Sequence, residues 1–161
     1  MPYTRPTTDI AKEGLFNIIG NNLDIESLKT LDLFAGTGAI SYELASRGAP
    51  DLTLVEKDPV MYEFIKKNLD SLGFDQAKVV KSDVFKFIDH CDEKFDLVFA
   101  GPPYALKNID ALPVLIFNKQ LLNPKGWFIL EHTPANDYKL HPHYKTQRNY
   151  GTTVFSIFIS A

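Results

Sequence analysis

The sequence predicts an α/β fold built on a mostly parallel sheet and closed at its C-terminal end by an antiparallel hairpin. Three observations lead there. Strand-like apolar runs alternate with helical patterns between residues 29 and 132, the signature of βαβ units. The first of those runs ends in a glycine turn, Ala35-Gly36-Thr37-Gly38. After residue 144 the chain changes character to strand formers grouped around Tyr150-Gly151.

The elements follow in order. Ala11, Leu15, Ile18 and Ile19 share one helical face, and the helix starts near Thr7-Thr8-Asp9, whose short polar side chains are good caps. Leu31–Phe34 is a short apolar strand, and Ile40, Leu44 and Ala45 then line a helix that Gly48 stops. Leu52–Glu56 is the second strand. Asp58 reads as an N-cap with Pro59 at the first helical position, Val60, Met61, Phe64, Ile65 and Leu69 as the buried stripe, and Gly73 as the stop. Lys78–Val80 is a third strand, with one or two helical turns through Val84, Phe85, Phe87 and Ile88 after Asp83. Phe95–Ala100 carries the strongest strand pattern. A helix through Leu112, Leu115, Ile116 and Leu122 follows, with Pro113 confined to its first turn, and Trp127–Glu131 gives a fifth strand. Tyr144 to Ala161 supplies the hairpin, in which Val154–Ile159 is nearly continuously apolar.

At 161 residues and 45% hydrophobic content the chain can bury one core, so a single domain over residues 1–161 and a monomer are expected. No apolar run is long enough for a membrane span and no secretory signal pattern opens the chain, so the expected location is cytoplasmic. Cys91, the sole cysteine, lies in a polar stretch and reads as a surface thiol. A net charge of −3 and only three arginines argue against a surface devoted wholly to nucleic acid, while leaving room for a local basic face. The pair His141-Pro142-His143 lacks an acidic or cysteine partner at ligand spacing, so no metal is expected and the proline suggests a solvated loop.

The glycine turn lies where a strand hands over to a helix, the position at which backbone can approach a nucleotide-derived cofactor. In a dinucleotide fingerprint a third small residue stands three positions after the second glycine, and Ser41 there weakens a nicotinamide or flavin reading. Glu56 ends the second strand 20 residues after Gly36, where a carboxylate either accepts from ribose hydroxyls or caps the next helix beside Asp58. Asp83 ends the third strand and offers the same two roles toward an adenine amine or toward a helix. These positions are carboxyl ends of successive strands, where open α/β sheets bind ligands. The fourth strand runs into Gly101-Pro102-Pro103-Tyr104, where two prolines remove amide donors and leave carbonyl acceptors and an aromatic ring at that edge.

With both motifs in hand, the chain resembles the DNA and RNA amino-methyltransferases, whose active site is an Asp, Asn or Ser followed by Pro-Pro and Tyr or Phe. More specifically it resembles the bacterial family that methylates guanine N2 in small-subunit (16S) ribosomal RNA. The resemblance is carried by Arg5-Pro6-Thr7-Thr8-Asp9, Lys12-Glu13, Leu15–Ile18, Leu31–Gly38, Val55-Glu56 with Asp58, Asp83-Val84, Phe95–Ala100, Pro102-Pro103-Tyr104, Glu131-His132 and Arg148–Gly151. It implies a Rossmann-like class I methyltransferase fold with a seven-stranded, mostly parallel sheet. It also implies S-adenosyl-L-methionine held by Asp32, Phe34, Ala35, Gly36, Thr37 and Gly38, by Glu56 with Lys57, and by Asp83 with Val84, while the first helix brings Thr8 over the cofactor. Gly101, Pro102, Pro103 and Tyr104 are the implied catalytic segment; Arg5, Lys12, Tyr104, Lys107 and Arg148 are the implied contacts to ribosomal RNA. Relatives carry a short basic hairpin before the Arg-Pro-Thr segment, with which this sequence starts.

The implied chemistry is methyl transfer to an exocyclic amine whose lone pair is delocalised into the ring. Acceptors that hold the amine hydrogens turn the lone pair toward the methyl, so catalysis is chiefly positioning and electrostatics. Tyr104 would stack the flipped base and the Pro102 carbonyl would accept one hydrogen. Gly101 supplies no side-chain acceptor where the family has one, so a Gly101→Asp variant is expected to be faster. Two other classes stay open at this point: a cofactor-binding or RNA-interacting protein without turnover, and a methyltransferase acting on a DNA base, a glutamine side chain or a small molecule.

Overall fold

The computed structural model describes residues 7–161, so Arg5 lies outside the described residues. The chain forms α1 (Asp9–Asn22), β1 (Lys29–Leu33), α2 (Ala39–Ser46), β2 (Asp51–Glu56), α3 (Pro59–Leu72), β3 (Ala77–Lys81), α4 (Val84–His90), β4 (Phe95–Ala100), α5 (Ala111–Asn118), β5 (Leu122–His132), β6 (Tyr144–Tyr150) and β7 (Thr153–Ile159). Local chemistry sets several boundaries. Thr8 caps α1 by accepting from the Ala11 amide, and Asp58 caps α3 by accepting from the Met61 amide with Pro59 in the first turn. Gly73 ends α3 at φ 70°, a left-handed conformation that costs glycine little.

The seven strands pair in the order β3-β2-β1-β4-β5-β7-β6. Strands β1 to β5 are parallel to their neighbours within that group, and β7 runs antiparallel to both β5 and β6. Strand order reverses at β1, which has β2 on one side and β4 on the other. Such a switch point opens a crevice beyond the carboxyl ends of the strands.

Both faces of the sheet are covered, and the pleat decides what each covers. Leu97, Phe99, Trp127 and Ile129 join α1, α2 and α3 in one core. Their chain neighbours Val98, Ala100, Phe128 and Leu130 point the other way and join α4 and α5 in a second. Strands buried on two sides read as continuous apolar runs, which is why β4 and β7 stand out in the sequence.

Several expectations change. On α3 only Ile65 and Leu69 are buried, whereas Val60 and Phe64 are 73% and 45% exposed, because this helix lies over the edge strand β3 and a single row of side chains reaches the core. Helix α5 stops at Asn118 and does not include Leu122, which begins β5; Gln120 at φ 54° breaks the helix between them. Phe34 leaves β1 at φ 61°. Cys91 is half-buried against the second core, and burial pushes its thiol pKa up, so it is not the surface thiol expected. The His141-Pro142-His143 segment is packed rather than freely solvated: the His143 ring stacks on Phe117 with centroids 4.2 Å apart. No helix among the described residues is long and apolar enough to cross a membrane.

Helix α1 is seated on β6 through Gly14, where an added Cβ would come within 2.1 Å of the Tyr150 ring. This approach presents the first turn of α1 to the crevice. Gly14→Val must displace that ring, and it is expected to destabilise the fold by about 1–3 kcal/mol, measured by urea unfolding. A neutral or stabilising effect would show that the contact does not hold the helix.

Candidate active site

Parallel register brings the site together. Leu33 lies opposite both Val55 and Ala100, and Ala100 lies opposite Leu130, so β1, β2, β4 and β5 end at one edge. The Gly101 amide donates to the Leu33 carbonyl at 3.3 Å, extending the β1–β4 pairing by one step.

The turn after β1 is held in a conformation that most side chains avoid. Phe34, Gly36 and Gly38 all have positive φ, at 61°, 60° and 86°. For a bulky residue such as Phe34 that conformation costs on the order of 1–3 kcal/mol, so the surroundings must enforce it. They do so through backbone bonds: the Ala35 amide donates to the Val55 carbonyl at 3.0 Å and the Gly38 amide to the Ala35 carbonyl at 2.8 Å. Glu56 completes the brace. Its Oε1 accepts from the Gly36 amide at 2.8 Å and its Oε2 from the Asp58 amide at 2.9 Å.

Asp32 is 3% exposed, and its Oδ2 accepts from the Ser41 hydroxyl at 2.7 Å. Burial pushes its carboxyl up to about 7, against the Ser41 hydrogen bond and with the nearby Glu56 charge adding to the shift. Ser41 is thus tied to the floor of the turn. Asp83 accepts from the Phe85 and Lys86 amides through Oδ1 and so caps α4.

Two cavities flank the turn and share Phe34 and Met61. The first, about 510 Å³, is walled by Asp32, the residues from Phe34 to Thr37, Phe99, Gly101 and Glu131, with Thr7, Asp9 and Lys12 from the start of α1. The second, about 430 Å³, is walled by Glu56, Lys57, Asp58, Asp83, Val84, Phe85, Pro103 and Leu106.

The expected site residues do not all reach these walls. Thr8 is committed to capping α1 and its neighbours Thr7 and Asp9 face the first cavity in its place, because a residue before the helix and one inside it point differently. Gly38 lies behind the wall as the N-cap of α2, where a Cβ would sit 2.6 Å from the Tyr42 ring. Pro102 is buried. Tyr104 lies beside the first cavity rather than in its wall, with its hydroxyl 3.4 Å from Glu131 Oε2 and 3.5 Å from Thr153 Oγ1. Lys107 and Arg148 are exposed outside both cavities, and the Arg148 guanidinium donates to Thr146 Oγ1 and to the Gln147 carbonyl. Of the basic residues expected at the rim, Lys12 alone among the described ones lines the first cavity.

The residue that sequence reasoning passed over is Glu131. It is 4% exposed, lines the first cavity, and its Oε1 accepts from the Thr7 hydroxyl at 2.8 Å. The signal in the sequence was an acid ending the fifth strand; what sets it beside Gly101, one step beyond Ala100–Leu130, is the strand pairing. Its neighbour His132 faces away into the sheet. The His132 Nδ1 lies 2.7 Å from the Thr133 carbonyl, which can only accept, so Nδ1 carries the hydrogen and Nε2 accepts from the Ser156 hydroxyl at 2.7 Å. Burial pushes its pKa down, consistent with a neutral structural ring. Among the described residues no group of three or more His, Cys, Asp or Glu could hold a metal.

A doubly wound sheet with a braced glycine turn at its switch point defines a Rossmann-like α/β domain, and solved structures agree. The Escherichia coli protein yhhF superposes with a TM-score of 0.87 at 26% identity, over 98% of this chain and 87% of that one. Residues 1–159 match the family described as "Conserved hypothetical protein 95", and the chain belongs to that family. Similar sequences include YlbH of Bacillus subtilis, 35% identical over 133 residues (80% of this chain, 71% of that protein). Another is the ribosomal RNA small subunit methyltransferase D of Buchnera aphidicola subsp. Baizongia pistaciae, 30% identical over 152 residues (89% and 77%).

Asp32 gives a test of the site's electrostatics. In the fold it holds its proton up to about pH 7, but its ordinary value is 3.8, so the stability of the protonated form is present in acid and is lost as pH rises from about 4 to about 7. Asp32→Asn cannot ionise and escapes that loss. Thermal melting should therefore favour the variant increasingly over this range, by an amount on the order of a few kcal/mol, and by a constant amount above it. A difference unchanged from pH 4 to pH 8 would show that Asp32 titrates normally.

Proposed function

We propose that this chain transfers a methyl group from S-adenosyl-L-methionine to the exocyclic N2 amine of a guanine in small-subunit ribosomal RNA. The observation that carries the reading is the strained glycine turn, braced by Glu56 between two cavities at the β1–β4 switch point. Membership of a family with a relative named as a small-subunit ribosomal RNA methyltransferase supports both the reaction and the substrate class.

The residues present fit such a cofactor. The turn offers backbone with no bulky side chain at Gly36, and its positive φ angles are those a cofactor-cradling loop adopts. Glu56 and Asp83 border the second cavity, where carboxylates can accept from ribose hydroxyls and from an adenine amine beside the apolar Val84 and Phe85. When bound, the cofactor supplies a methyl on a sulfonium, an electrophile that is already activated. The chain's part is to fix the acceptor amine. Gly101 follows β4 at the first cavity, and the carbonyl of the next residue, Pro102, is the acceptor for one amine hydrogen. Tyr104 supplies an aromatic surface at the cavity mouth, and Lys12, Lys107 and Arg148 supply positive charge for phosphates.

Two measurements test the reading. Calorimetry with S-adenosylhomocysteine should show saturable binding that Glu56→Ala weakens by at least about tenfold, since that change removes both the brace and the hydroxyl acceptor; preference for a nicotinamide dinucleotide would overturn the cofactor. Tritium-methyl transfer should label immature small ribosomal subunits and not free guanosine or peptides, with RNA affinity falling as salt rises. Transfer to peptides alone, or affinity indifferent to salt, would overturn the RNA substrate.

A further inference from the structure

Position 101 is the puzzle in the proline motif, because glycine has no side-chain acceptor for the amine. The structure fills the gap from the neighbouring strand. A Cβ built on Gly101 would lie 3.3 Å from Glu131 Oε1 and 3.2 Å from the Phe99 ring. A side chain at 101 would therefore point at the place where a carboxylate already is. Phe99 and Ile129 share one face of the sheet, and two residues on along each strand Gly101 and Glu131 fall on that same face.

We infer that Glu131 is a carboxylate acceptor of this active site, placed by β5 beside the proline motif of β4, which carries no side-chain acceptor at Gly101. The inference rests on the methyltransferase reading above and deepens it. Three observations beyond the register support it. Glu131 lines the first cavity together with Gly101 and Asp32. It reaches that wall although it is only 4% exposed, and a buried carboxylate retained at a cavity wall is costly unless its neighbours are arranged for it. Its neighbours are so arranged. The Thr7 hydroxyl from α1 donates to Oε1 at 2.8 Å, and the Tyr104 hydroxyl lies 3.4 Å from Oε2, so both oxygens are oriented by the two segments that border the acceptor's position.

The chemistry balances without a further reactant. The amine lone pair forms the N–C bond as the C–S bond breaks, its electron pair remaining on sulfur, which becomes a neutral thioether. The methylated nitrogen then carries one hydrogen too many. Glu131 accepts a hydrogen bond from that N–H during transfer and takes its proton afterwards, passing it to solvent. An acceptor oxygen beside developing positive charge on nitrogen stabilises the transition state more than the neutral amine, so the effect falls on turnover rather than on cofactor binding.

This reverses the expectation from sequence for Gly101→Asp. A side chain at 101 would begin 3.3 Å from Glu131 Oε1 and 3.2 Å from the Phe99 ring, so an aspartate there crowds the acceptor already in place. Gly101→Asp alone is expected to give no gain in methyl transfer.

The test is an exchange of positions, read as tritium-methyl transfer to immature small subunits with S-adenosylhomocysteine affinity measured in parallel. Glu131→Ala should lower the rate on the order of 10²- to 10³-fold and leave the affinity within about threefold. Glu131→Gln, which keeps the volume and one acceptor oxygen, should still lose about tenfold or more. Adding Gly101→Asp to Glu131→Ala should recover at least about tenfold, a rescue that a merely structural role of Glu131 would not give. Undiminished rates in Glu131→Gln, a double variant no faster than Glu131→Ala, or a Gly101→Asp single variant clearly faster than the parent would each overturn the inference while leaving the enzyme reading intact. A parent chain that binds S-adenosylhomocysteine but labels no RNA would overturn the two together.

Discussion

Parallel pairing of β4 with β1 on one side and β5 on the other is the constraint on which the site depends. Because Leu33, Ala100 and Leu130 lie level across three strands, the residues that follow them emerge at one edge, from three parts of the chain distant in sequence. Pleating then sorts them. Gly101 and Glu131 turn toward the face covered by α1, while Ala100 and Leu130 fill the opposite core. A slip of one residue in either pairing would exchange these sets and place Glu131 among apolar side chains, so the hydrophobic pattern that fixes register also fixes the chemistry.

The same edge gathers negative charge, and the fold manages it in three ways. Asp32 is buried deeply enough to hold its proton near neutral pH, with Ser41 as its partner. Glu56 spends its oxygens on two backbone amides, which donate without adding a counter-charge. Glu131 is met by hydroxyls from Thr7 and Tyr104. A hydrogen bond is worth about 0.5–1.5 kcal/mol net, and more where the acceptor is ionised, so these acids also tie the glycine turn, the first turn of α1 and the proline loop to the sheet. Order in the loops and electrostatics in the cavities are therefore one property: removing an acid changes both.

Gly14 belongs to the same design. Close approach of α1 to Tyr150 lets the first helix, which precedes the sheet in sequence, extend over its carboxyl edge. Thr7, Asp9 and Lys12, at the start of that helix, line the first cavity.

How much of this could be read before folding differs by the range of the interaction. The alternation of strands and helices, the caps at Thr8, Asp58 and Asp83, the stop at Gly73 and the antiparallel end of the sheet are local or periodic signals, and the sequence by itself determined them. It also marked the glycine turn and the proline motif, whose residue types restrict the backbone wherever they stand. The break at Gln120, the exposure of Val60 and Phe64 and the half-burial of Cys91 depend on what lies opposite, and periodicity carries no information about that. Glu131 is the clearest case. In one dimension it is a polar residue ending a strand, 30 positions from Gly101. Only the pairing of β4 with β5 brings its carboxylate to 3.3 Å from where a side chain at 101 would begin, because register is a relation between strands and no single strand contains it.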